Sequence, residues 1–130
     1  MGDKQVAEME PRVAEVYVGI TKPDQPPTKC CNLNSKNLEG SEVWMQIMPG
    51  TVNMSYPFTG DPLEVLRNQC VDTPSSLYLI DWNANQFAQV GFENVSPHDH
   101  ACLADELFVR VLGCDDAAYE LEISIEEMET

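Results

Sequence analysis

Lysine and arginine are scarce in this chain. Seven of its 130 residues are Lys or Arg, against 22 Asp and Glu, giving a formal net charge of −15 and a pI near 4.1. The shortage is uneven: residues 66–130 hold only Arg67 and Arg110 against 13 acids, and from Asp115 onward there are seven acids and no base. Such a field repels phosphate, which argues against direct binding of nucleic acid or an anionic membrane. A basic protein is the favourable counterpart, and the plainer alternative is an acidic surface that only keeps the chain soluble.

Long apolar runs are also missing. Nothing in "MGDKQVAEMEPR" has signal-peptide length, and no later run approaches the roughly 18 residues that span a bilayer. Gly2 invites a myristoylation reading, but Val6 stands where that motif needs Ser or Thr. The expectation is an intracellular protein, nuclear or cytoplasmic. Cysteine comes as five residues with no C-x-x-C: Cys30, Cys31, Cys70, Cys102 and Cys114. An odd count with one adjacent pair fits neither a disulfide framework nor a zinc ribbon, so free thiols are expected.

Catalytic signatures are absent as well. There is no G-x-S-x-G elbow, no P-loop and no dinucleotide fingerprint, and the two histidines sit together in one polar stretch. With so few cations to hold an anionic transition state, the reading is that the chain is not an enzyme.

What is present reads mainly as short strands. Residues 1–12 look like a loose arm, "VAEVYVGI" (13–20) is β-rich, and the proline-bearing stretch 21–41 reads as a long loop. Together 1–41 form an N-terminal arm with one strand, and 42–130 an acidic core, in one compact domain. "EVWMQIM" and "TVNMSYPF" flank Pro49-Gly50 as strand, turn and strand, with Val52, Met54, Tyr56 and Phe58 at period two. "GDPLEVLRNQC" is compatible with a short helix capped by Asp61, with Pro62 at its first position and Glu64 behind it, or with a short strand. "SSLYLIDW" and "QFAQVGF" pair across "NAN"; "DELFVRVL" and "AYELEISIE" pair across "GCDDA". Nine prolines argue against long helices. The expected fold is all-β: a seven- or eight-stranded antiparallel β-sandwich or jelly roll with at most one short helix.

Two constellations could carry chemistry. In "SPHDHACLADE" (96–106), an extended backbone would put His98, His100 and Cys102 on one face, where imidazole and thiolate suit zinc and Cys114 or Asp99 could complete four ligands. The competing reading is a polar connection into the strand at Asp105, with no cofactor bound. The second constellation is a carboxylate face: Asp115, Asp116, Glu120, Glu122, Glu126, Glu127 and Glu129, with Tyr119, Leu121, Ile123 and Ile125 turned the other way. Charges this dense repel one another, and a basic partner relieves them.

From about Val43 onward the layout resembles the nucleoplasmin-like core domain. The resemblance rests on "VWMQIMPG", on "SSLYLIDWNANQFAQVGF", and on the closing pair "DELFVRVLG" and "AYELEISIEEME". It implies a jelly roll assembled as a pentamer that shields histones through acidic surfaces. The first 42 residues have no counterpart and the long acidic tail is nearly absent. The ending "LFVRVLGCDDAAYELEISI" with "LYLID" is also similar to the pre-peptidase C-terminal β-sandwich. Two functions follow: a histone or basic-protein chaperone, or an accessory subunit of a larger protein assembly.

Overall fold

The computed structural model of the protein describes residues 3–20, 26–116 and 118–128. Its elements are α1 (Asp3–Val16), β1 (Lys29–Lys36), β2 (Glu42–Met48), β3 (Thr51–Ser55), α2 (Pro62–Asn68), β4 (Tyr78–Asn83), β5 (Phe87–Gly91), α3 (Pro97–Arg110) and β6 (Glu122–Glu127). The strands make one six-stranded antiparallel sheet in the order β4-β5-β3-β2-β1-β6. The expected β-sandwich is therefore corrected to an α+β fold. A sandwich covers one sheet with another; here α1 and α3 do the covering.

Both covering helices carry apolar residues at helical spacing. In α1, Val6, Met9, Val13 and Val16 are buried. Pro11 lies inside α1 on an exposed position, where it removes one backbone hydrogen bond but meets no packed neighbour layer. In α3, Ala101, Ala104, Leu107 and Phe108 are buried. Leu107 and Phe108 are neighbours in sequence and both fully buried, which a strand with one wet face does not permit. The expected strands at 13–20 and 105–112 are thus wrong: the first begins inside α1 and runs into a turn, and the second is the last half of α3 with the turn after it.

The supposed loop 21–41 contains a strand. β1 reads "KCCNLNSK", without one β-branched or aromatic residue, and is held by β2 on one side and β6 on the other. Its pairing is decided by its neighbours rather than its own propensity. Asn37 closes the β1–β2 turn, its side-chain oxygen accepting from the backbone N–H of Glu39 (3.0 Å) and Ser41 (2.9 Å). At the β2–β3 turn Gly50 has φ +71°, and a Cβ there would lie 3.0 Å from the Phe92 carbonyl.

Nor are residues 3–12 a loose arm, since they form most of α1 and bury Val6 and Met9. The expected pairing across "GCDDA" does not form, because β6 pairs with β1 instead. Three other local readings agree with the structure. β2 and β3 flank Pro49-Gly50, β4 and β5 form a hairpin, and "PLEVLRN" is the helix, with Asp61 accepting from the Leu63 N–H at 2.8 Å. In the last strand Ile123 and Ile125 turn inward while Glu122, Ser124 and Glu126 are exposed.

The helix-facing side of the sheet supplies Leu33, Met45, Ile47, Val52, Met54, Ala88 and Val90 to the core, all fully buried. The other side carries no helix among the described residues. Its cross-strand rungs follow from the register. One runs Asn34, Trp44, Ser55, Phe87; the next runs Asn32, Gln46, Asn53, Gln89; and the third places Met48, Thr51 and Gly91 side by side. Tyr78, paired with Gly91, lays its ring over that glycine, where a Cβ would come within 2.5 Å of it.

Candidate functional site

The stretch that holds both histidines is the first three turns of α3. Ser96 caps the helix by accepting from the Asp99 N–H at 3.1 Å, Pro97 takes the first position, and Asp99 places a carboxylate in the first turn. The helical repeat then separates residues that an extended chain would align. His98 and Cys102, four apart, share an exposed face, and His100 turns into the core.

His100 is 0% exposed and both ring nitrogens are engaged. Nε2–H donates to the Thr51 carbonyl at 3.1 Å, and Nδ1 accepts from the Tyr17 hydroxyl at 2.7 Å. That hydroxyl in turn accepts from the Gly50 N–H at 3.0 Å. Tyr17 and Phe92 meet the imidazole edge-on, at centroid distances of 5.8 and 4.8 Å. Burial lowers its pKa from 6.5 to about 4, against a smaller opposing effect of the Thr51 carbonyl. His100 is a neutral core residue that ties α3, the end of α1 and the β2–β3 turn together.

His98 belongs to the surface. Nδ1 is hydrogen-bonded to the Glu10 carboxylate of α1, which raises its pKa through that bond and through charge. Nε2 lies 3.5 Å from Cys102 Sγ. Glu10, His98 and Cys102 therefore form a carboxylate–imidazole–thiol line across the α1–α3 seam. Because carboxylate and sulfur use opposite ring nitrogens, one cation cannot bind both through His98. No group of three or more His, Cys, Asp or Glu among the described residues is arranged to hold a metal ion. The zinc set expected from His98, His100 and Cys102 is not brought together. The thiol is not primed either: partial burial, then Asp99, Asp105, Glu10 and Asp3, raise the Cys102 pKa.

A second polar contact is buried between the helices and the last strand. Asp105 is 2% exposed and accepts from the Tyr119 hydroxyl at 2.6 Å. Gln5 of α1 donates to the Tyr119 carbonyl at 2.8 Å. Burial, with Asp105 beside it, drives the Tyr119 phenol far up and keeps it protonated.

The predicted carboxylates gather in part. Asp115, Glu120 and Glu122 line a groove of about 700 Å³ beside the β1–β2 hairpin, where Glu42 joins them and Lys36 is the one cation among the described lining residues. Asp116 is exposed in the preceding loop; Glu126 and Glu127 lie farther along β6, with Glu126 accepting from Asn32 at 3.2 Å. Glu129 lies outside the described residues. A second groove, about 500 Å³, opens where the chain enters β4 and leaves β5. It is lined by Asp72, Glu93, Asp99 and Glu106, with Cys102 on its wall. Nothing in the linear sequence marks Glu42 or this second set, because sheet pairing and α3 assemble them. Several cations are already engaged: Lys4 with Glu8 at 3.8 Å, Arg12 with Glu15 at 3.3 Å, and Arg110 with Glu106 at 2.6 Å.

No family model, curated protein or solved structure matches this chain.

Proposed function

We propose that the protein is a non-enzymatic, acidic binding module whose partner is a basic protein, of the kind a histone chaperone shields. The observation that supports this most is the pair of carboxylate grooves, each with four acids among its lining residues. A basic chain entering either groove relieves repulsion among those acids and releases counterions, so binding weakens steeply with salt. Isolated exposed ion pairs contribute little each, so affinity comes from several contacts made together. The test is titration with core histones and with polylysine at rising ionic strength. Binding at low salt, weakened by the groove variant Glu42→Gln/Asp115→Asn/Glu120→Gln/Glu122→Gln, supports the reading. No binding of either basic probe at low salt overturns it.

A second reading, an accessory subunit that docks into a larger assembly, draws on a different observation. β4 is an edge strand, and its Tyr78 and Ile80 are 50% and 42% exposed. An open apolar edge is a ready template for another strand.

A further inference from the structure

The uncovered face of the sheet differs from the rest of the surface. Over three successive rungs, β1, β2, β3 and β5 present no charged side chain outward, in a chain of net charge −15. Charges begin only at the border, with Glu122 and Glu126 on β6, Asp81 on β4 and the Lys36–Glu42 rung. Within that border, four side-chain amides stand in register on four adjacent strands: Asn32, Gln46, Asn53 and Gln89. The neighbouring rung carries two aromatics, Trp44 and Phe87, separated by Ser55. Both keep part of their surface exposed and neither joins the apolar core.

Hydrogen-bonding capacity is left over on this face. Asn53 donates to Gln46 Oε1 at 3.3 Å and Asn32 to Glu126 at 3.2 Å, one N–H of each amide, while the Asn53 side-chain oxygen and the Thr51 hydroxyl are buried without a hydrogen-bond partner among the described residues. Each amide carries two N–H donors, so Asn32 and Asn53 each keep one, and the Gln46 and Gln89 amides add further donors and acceptors for a ligand that both gives and takes hydrogen bonds. The aromatic rung adds flat apolar rings beside it. Strands lie about 4.8 Å apart, which sets Trp44 and Phe87 roughly 10 Å apart. That is close to the repeat of two linked pyranose rings.

We propose that this face binds a neutral oligosaccharide, laid across the strands with sugar rings on Trp44 and Phe87 and hydroxyls on the amide row. Its size and charge select this occupant over a second copy of the chain. Four strands by three rungs cover on the order of 300 Å², whereas a stable protein interface takes about 800 Å² from each partner. Reaching that area with a second copy would bring Glu122, Glu126 and Asp81 of two strongly acidic chains together. A short uncharged glycan brings no charge of its own against them, and it meets carboxylates only at the ends of the row, where Glu126 bonds Asn32 and Asp81 stands opposite Gln89.

The chain has two tryptophans, which makes the test direct. Trp44 lies on this face, and Trp82 packs against the core, edge-on to Tyr56 at 6.1 Å. Soluble oligomers of the cello, malto, xylo, manno and N-acetylchito series are titrated against the Trp82→Phe protein by fluorescence, and against wild type by calorimetry. The expected result is saturable binding of at least one series, changed less than about twofold between 0.05 and 0.5 M salt because the face is uncharged. Trp44→Ala should weaken it about tenfold and Gln89→Ala about fivefold, with the far-ultraviolet spectrum unchanged. If Trp44→Ala does not fold, Gln46→Ala and Gln89→Ala decide. The proposal is overturned if no series saturates, or if the amide variants leave the affinity untouched. It is also overturned if sedimentation shows self-association that these variants abolish, or if a protein ligand rather than a glycan takes the face. Because the basic-partner reading predicts steep salt dependence and this one predicts none, the two can fail separately.

Discussion

Replacing His100 tests whether the buried histidine is a structural hub. His100→Ala removes the acceptor for the Tyr17 hydroxyl and the donor to the Thr51 carbonyl, and leaves a hole between Tyr17 and Phe92. A cavity of that kind together with stranded polar groups costs about 3–5 kcal/mol, a large share of the ~5–15 kcal/mol that holds a domain folded. The pH dependence separates the imidazole from simple loss of volume. Folding lowers the His100 pKa from 6.5 to about 4, so between those values the unfolded chain binds the extra proton. Stability from keeping this ring neutral is complete above pH 6.5, declines as pH falls, and is gone near pH 4. Between pH 7.5 and 5.0 wild type should lose about 2 kcal/mol that the variant does not lose. Urea denaturation of both proteins at the two pH values measures this. Taking the difference cancels the carboxylates they share. A penalty for His100→Ala that is the same at pH 7.5 and pH 5.0 would refute the account.

Other expectations are narrower. In an imidazole NMR titration, His98 should titrate above 6.5 and fall back in Glu10→Gln, while His100 stays neutral until the pH nears 4. Any stability from the His98–Glu10 pair is present at low pH and lost as pH rises through the raised His98 value, opposite in sign to His100. Tyr119→Phe removes the 2.6 Å donor to Asp105 and should cost about 1.5–3 kcal/mol by urea denaturation; a change under about 0.5 kcal/mol would show that the bond is not structural. With a neutral alkylating reagent at pH 8, exposed Cys70 should react first and Cys102 more slowly. Cys31, buried and pushed up to about 12, should react only on unfolding, with mass spectrometry reading the order.

Two of the three expected hairpins were legible in the sequence because their information is local; the third, across "GCDDA", was not, since 105–110 lies in α3 and β6 pairs with distant β1. Alternation in "TVNMS", the Pro49-Gly50 turn and the "NAN" loop each specify their own neighbourhood, and the structure matches them. The helix at Pro62 was signalled by Asp61, Pro62 and Glu64, but the apolar residues that follow fit a short strand equally well, and only the structure decides for the helix. The same pattern recurs as Ser96, Pro97 and Asp99, yet there it was overshadowed by a period-two reading of two histidines and a cysteine. α1 carried its own signal in Val6, Met9, Val13 and Val16, masked by Pro11 and by β-branched residues that read as a strand. β1 could not be read locally, since its residues have no strand preference and its partners are distant. The candidate sites divide the same way. The carboxylate face of the last strand was visible in alternation, whereas the grooves, the amide row and the Glu10–His98–Cys102 line exist only once distant segments meet.

The pairing of β1 with β6 has a consequence for the order in which the chain folds. Asn32 and Glu126, bonded across that pair, are 94 residues apart, whereas β2 pairs with β3, and β4 with β5, across short turns. Closing so long a loop is entropically late. During synthesis the two hairpins can form well before residues 122–127 emerge. Until they do, Cys31 and Leu33 lie beside an open sheet edge. The strand richest in carboxylates is thus also the one that seals the nascent protein against association through that edge.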